Sequence, residues 1–177
     1  MAGFDPGAAF WPNRRADADT FLLALGIIAA IDAVRLTLLP VGGLLTWLLV
    51  MFFVVSAFIN RARDAGRGGG AAVLAAGSAA MAKAVASFIA ITAALYPDFL
   101  RFMEQRGVDV SDPVAVQAAA SDMALQQAYQ ERLQTSPELM GEIYSAGAWP
   151  SMWAFWIVIA LFAWRLRRLP SRPQAVR

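Results

Sequence analysis

The chain has 177 residues, of which 59% are hydrophobic and 16% charged, with a formal net charge of +2 and a mean hydropathy of +0.52. That is more apolar than a soluble domain of this length, and the excess comes in blocks, which is the pattern of membrane spans. Cysteine and histidine are both absent, which excludes disulfides, thiolate nucleophiles and the usual ligands of zinc, haem and copper.

Residues 1–20 form a lead carrying Phe4, Phe10, Trp11, Pro12, Arg14 and Arg15, a mixture suited to a headgroup interface. Asp17, Asp19 and Thr20 are able to cap the helix that follows. Span one is expected over 21–39. Its depth in the chain and its internal charge do not fit a cleaved signal peptide. Pro40, Gly42 and Gly43 predict a tight turn, so span two, over 44–60, returns antiparallel to span one.

Span three is expected over 71–96, rich in Ala, Gly and Ser. Residues 97–146 are polar. Gly107 ends an extension of span three, and Asp112-Pro113 and Ser136-Pro137 each read as a cap followed by proline at the first helical position. Helices are therefore predicted near 113–134 and 137–145. Span four covers 148–164 and leads into a tail with Arg165, Arg167, Arg168, Arg172 and Arg177. The whole reads as one all-α, polytopic membrane domain with four spans.

Arginine placement predicts the orientation. With the N-terminus inside, Arg14, Arg15, Arg61, Arg63, Arg67 and the five tail arginines are cytoplasmic, ten in all, against Arg101, Arg106 and Arg132 outside. The positive-inside rule then puts both termini in the cytoplasm and residues 97–146 on the extracytoplasmic side. Arginine is abundant and lysine is confined to Lys83, a usage that reads as a bacterial source and hence an inner (plasma) membrane.

Three ionisable residues fall within spans: Asp32, Arg35 and Lys83. Intramembrane charge is costly, so these side chains face protein or water. At the helical rise, Asp32 lies roughly 16 Å and Lys83 roughly 18 Å from the inner ends of their spans. In a hydrocarbon layer roughly 30 Å thick, both sit near the midplane, and an Asp32–Lys83 pair is expected. Arg35 either snorkels outward or joins them as a triad. The cluster fixes helix register, lines a path for a solute or proton, or binds a lipid headgroup or partner helix. Gly26, Ala29 and Ala33 in span one and Gly77, Ala80 and Ala84 in span three have spacings that allow close helix approach. Most of Trp47, Phe52, Phe53, Phe155, Trp156 and Phe162 are expected to face lipid.

The segment from Asn60 to Ala71 concentrates arginine and glycine. Arg61 and Arg63 suit lipid phosphates or the last carbonyls of span two, Asp64 suits a pair with Arg63 or Arg67 or a cap on the turn, and the glycines permit reversal into span three. Its formal G-x-G-x-x-A match has no strand–loop–helix context and is not a nucleotide signature.

The run Asn60-Arg61-Ala62-Arg63-Asp64-Ala65-Gly66-Arg67-Gly68-Gly69 resembles the hallmark of the bacterial DUF805 membrane proteins, roughly R-R-x-H-D-x-G-R-S-G. Arg61, Asp64, Gly66, Arg67 and Gly69 match. Asn60, Arg63 and Gly68 depart from it, and Gly70-Ala71 replaces an aromatic pair. Phe10, Trp11, Arg14, Arg15 and Phe21 resemble the family's aromatic, arginine-bearing lead. The resemblance covers the chain as far as the start of span three; it implies fold and location and supplies no reaction.

Neither a catalytic constellation, a cofactor site nor a metal site is read from the sequence, and nucleic-acid binding is not expected. The expected function is that of a non-enzymatic accessory, scaffold or subunit of a membrane complex, with a membrane-protein partner or a second copy. Anionic lipid headgroups are expected at Arg61, Arg63, Arg67 and the tail arginines. The alternative is a small-solute or proton-coupled transporter using Asp32, Lys83 and Arg35.

Overall fold

The computed structural model describes residues 5–38 and 43–171. Leu39, Pro40, Gly42, Phe4, Arg172 and Arg177 lie outside these. Among the described residues the seven elements are all helices: α1 (Pro6–Phe10), α2 (Ala18–Leu38), α3 (Leu44–Asp64), α4 (Gly70–Glu104), α5 (Pro113–Ala120), α6 (Met123–Thr135) and α7 (Pro137–Arg167). Four of them, α2, α3, α4 and α7, are long and apolar enough to cross a membrane.

The chain divides into two compact units, one of Met1–Ala84 with Ser151–Arg177, the other Val85–Pro150. The first holds the main core. Phe21 meets Phe58 edge to face at 5.1 Å, and Ala24, Val54, Ala75, Ala79, Phe155 and Ile159 close around them. The face that α4 gives to this core is therefore one of alanines, small enough for close helix contact in lipid.

Several boundaries differ from those the sequence predicts, each for a local reason. The lead contains α1. Asp5 accepts from the Gly7 N–H at 2.8 Å and Pro6 starts the helix, the same Asp-Pro device that Asp112-Pro113 uses, where Asp112 accepts from the Val114 N–H at 2.9 Å. The helix predicted over 113–134 is broken because Asp122 caps a new start, accepting from the Ala124 N–H at 2.9 Å. Span three continues through Pro97 to Glu104, and Gly107, at φ +82°, follows its end. The predicted helix 137–145 and span four are one helix, running through Pro150; spanning helices tolerate proline where neighbouring groups take up the freed carbonyl.

Small residues bring helices together at a different place from the one expected. Gly26 and Gly77 are exposed, with open space where a Cβ would stand. In the second unit, by contrast, a Cβ on Gly147 of α7 would lie 3.1 Å from Ser87 Oγ and 3.2 Å from Ile91 on α4. The tight glycine crossing is thus between α4 and α7. That unit is otherwise built on Tyr129 of α6, whose ring stacks on Phe99 and Phe102 of α4 at 4.9 and 5.2 Å.

Candidate functional site

Two polar clusters in the first unit contain most of the residues that the sequence singles out. The one within the spans is centred on Asp32, which is 5% exposed. Arg35, one turn later on α2, reaches back to Asp32 Oδ1 through Nη2 at 2.9 Å and Nε at 3.0 Å. The Trp156 indole N–H donates to Asp32 Oδ2 at 2.9 Å. Arg35 also donates through Nη1 to Thr46 Oγ1 at 3.2 Å, and Thr46 Oγ1 donates to the Gly43 carbonyl at 2.8 Å. The carboxylate is thereby held by α2 and α7, and its arginine by the first turn of α3.

Lys83 forms no ion pair with Asp32 among the described residues. Its ammonium donates to Ser151 Oγ at 3.1 Å, tying α4 to α7. The depth argument places both residues near mid-span but carries no information on azimuth, and both Asp32 oxygens are held by Arg35 and Trp156. Phe155 correspondingly does not face lipid, being 2% exposed in the core, while Trp156 is half-buried, with its N–H turned to Asp32. Phe53 is half-buried too, its ring edge-on to Phe10 at 5.7 Å, whereas Phe52 is exposed.

The second cluster occupies the last turn of α3, which runs on as helix through Asp64. Arg61 is 1% exposed, the largest fully buried side chain among the described residues. It binds Asp64 Oδ2 at 2.5 Å. Its other donors take the end of α7: Nε to the Leu166 carbonyl at 3.2 Å, Nη2 to the carbonyls of Arg167 and Leu169, and Nη1 to Ser171 Oγ at 3.0 Å. These are carbonyls a helix end leaves without intrahelical partners, and the planar guanidinium fork suits them. Arg61 is therefore not a lipid contact, and Asp64 pairs with it and not with Arg63 or Arg67.

Asn60, fully buried, does for the lead what Arg61 does for α7. Its Nδ2 donates to the Ala8 and Trp11 carbonyls at 2.8 and 2.6 Å. Its Oδ1 accepts from the Arg14 N–H at 3.2 Å, and its carbonyl accepts from the Ala16 N–H at 3.3 Å. Arg63 is exposed and donates to the Pro12 carbonyl at 2.8 Å and Asn13 Oδ1 at 3.2 Å. Gly66, at φ +68°, closes α3 with the paired bonds of a Schellman turn, Arg67 N–H to Ala62 carbonyl at 2.7 Å and Gly66 N–H to Arg63 carbonyl at 3.0 Å. Arg67 and Gly69 are exposed beyond it. The motif is thus a junction that fastens the lead, α3 and α7 to one another.

At the start of α2, Asp17 Oδ1 accepts the Thr20 N–H at 2.7 Å. This bond, with a weaker pull from the Arg61 charge, holds the Asp17 carboxyl below the usual carboxylate range. In the second unit Asp98 binds Arg132 at 3.0 Å and the Tyr129 hydroxyl at 3.2 Å. Burial, reinforced by the Asp98 charge, pushes the Tyr129 phenol up to about 12.

Sequence reasoning did not identify Asn60, Trp156 or Ser151 as partners. The signal for Asn60 is an amide at the end of an otherwise apolar span. Trp156 and Ser151 carry no comparable local signal, because their roles follow from the azimuth of α7. No family model matches the chain, and no curated protein or solved structure does.

Proposed function

We propose that this chain is a non-enzymatic accessory or scaffold subunit of a membrane complex, and that it works by holding a partner membrane protein or a second copy of itself. The observation that carries this reading is that α4 is the least buried of the four spans. The ionisable groups within the spans are engaged by neighbours: Asp32 by Arg35 and Trp156, Lys83 by Ser151. Meanwhile α4 leaves Val73, Leu74, Gly77, Met81 and Ala84 exposed, a mixed small and apolar face of the kind on which helices associate in lipid.

The same reading places the chain in a bacterial inner membrane with both termini cytoplasmic. Its support is the gathering of Arg14, Arg15, Arg63, Arg67, Arg165, Arg167 and Arg168, all exposed, around one end of the spans. Arg63, Arg67 and the tail arginines are then available to anionic headgroups. The resemblance of residues 60–69 to the DUF805 hallmark agrees with this location. Small-solute or proton-coupled transport through Asp32, Lys83 and Arg35 has less support, since the carboxylate is already neutralised by Arg35.

Affinity purification in several mild detergents tests the proposal. A stoichiometric membrane protein or a second copy is expected, and Gly77→Leu with Met81→Lys should release it. Recovery of a single chain alone in every detergent would end this reading. Full transport activity that disappears in an Asp32→Asn, Lys83→Gln variant would favour its rival.

A further inference from the structure

Between α2 and α7 runs an apolar groove of about 480 Å³. Its walls are Gly26 and Ala29 on α2 and Trp156, Ala160 and Ala163 on α7, and Arg167 stands at one mouth. Gly26 helps keep the groove open: a Cβ there would meet no atom within 4 Å. Trp156 turns its N–H inward to Asp32, which leaves the indole to supply apolar surface. Along α7 the lining extends from Trp153 to Arg167, about 21 Å at the helical rise. One bilayer leaflet with its headgroup layer is about 20–22 Å deep.

The geometry points to a phospholipid site: one acyl chain of an anionic phospholipid lies in the α2–α7 groove, with its phosphate on Arg167. The length matches a single leaflet, and the charge is at the end where a headgroup would sit. Among the described residues no carboxylate lies within ion-pair range of Arg167. Asp19, on the Leu22 face of α2, makes no such pair either. Arg168 lies over the ring of Trp164, itself a lining residue, at 4.7 Å. This site rests on the reading of the tail arginines as headgroup contacts and gives it one residue and one groove; it does not depend on the chain having a protein partner.

Native mass spectrometry of the full chain, purified in mild detergent and offered phosphatidylglycerol or phosphatidylcholine, tests the site. One retained phosphatidylglycerol is expected, preferred about fivefold, the ratio to which one surface arginine's attraction for anionic lipid corresponds. Arg167→Gln should remove the preference and leave the fold intact, since the side chain is exposed. Gly26→Leu should fill the groove and abolish retention; Ala160→Leu, from the opposite wall, does the same if the first variant does not fold. Equal retention of the two lipids, with no effect of Arg167→Gln, would mean ordinary annular lipid and overturns the site. So would unchanged retention in both groove-filling variants. A two-chain species that Gly26→Leu converts to one chain would assign the groove to a helix of a second copy instead.

Discussion

The first unit contains two arginine–aspartate pairs of identical spacing built in opposite senses. In Asp32–Arg35 the aspartate is the buried member, at 6% side-chain exposure against 13%. In Arg61–Asp64 the arginine is, at 1% against 12%. The buried member determines what else the pair can hold. A carboxylate only accepts, and its second oxygen takes one side-chain donor, the Trp156 indole. A guanidinium offers five donors, and Arg61 spends the rest on backbone carbonyls and a hydroxyl at the end of α7. The first pair positions a side chain, and the second terminates a helix. Position along the spans fits this division: Arg61 lies in the last turn of α3, where a cation is favoured by the helix dipole.

The largest effect should come from breaking the second pair. Arg61→Met keeps the length of the side chain but leaves Asp64 buried without its cation and strips the end of α7 of its donors. The expected loss is about 3–5 kcal/mol, the cost of removing one member of a buried pair. Detergent-titrated unfolding measures it. A loss no greater than that of an exposed Arg67→Met control would show that the junction is incidental.

Breaking the first pair should cost less. Asp32→Asn retains an acceptor for Trp156 and loses the charge opposite Arg35, which still has Thr46. A loss of about 1.5–3 kcal/mol is expected, the range for hydrogen bonds to charged groups, and about 1 kcal/mol for Trp156→Phe. These two variants share a partner and should be non-additive. Asp32→Asn and Arg61→Met touch separate clusters and should add to within about 0.5 kcal/mol. Strong coupling between the clusters would mean that α7 transmits a displacement from one to the other.

The two clusters also differ in how far the sequence discloses them. Spans were legible because apolar blocks need no knowledge of neighbours. Asp32, Arg35, Arg61 and Asp64 were legible as residues out of place in such blocks, and the i, i+3 spacing makes each pair geometrically available on its own helix. What each pair holds was not legible, because that depends on how α7 is rotated about its axis. Depth along a span follows from counting residues; azimuth does not. Hence Lys83, at a similar depth to Asp32, was expected to meet it and meets Ser151. The small-residue stripes misled for the same reason: Gly26 and Gly77 permit approach, but the approach occurs at Gly147. The Asp5-Pro6 start of α1 was, by contrast, available to the rule that found Asp112-Pro113.

The smallest effect is the one that tests how far the Arg61 charge reaches. Asp17 caps α2 through the Thr20 N–H at 2.7 Å, and Asp17→Ala should cost about 1 kcal/mol, the usual price of a lost N-cap. That bond lowers the carboxyl first, and Arg61 lowers it further. Because the folded pKa lies below the unfolded value, the cap's full contribution is present above the unfolded carboxylate range. It is lost as pH falls through the lower folded value. Carbon-detected NMR titration of Asp17 in the wild type and in Asp64→Asn separates the two causes. Asp64→Asn removes the charge that neutralises Arg61, so the Asp17 pKa should drop further, while Thr20 still holds the cap. An unchanged Asp17 titration would mean that the Arg61 field ends within its own cluster and that the cap is governed by the hydrogen bond alone.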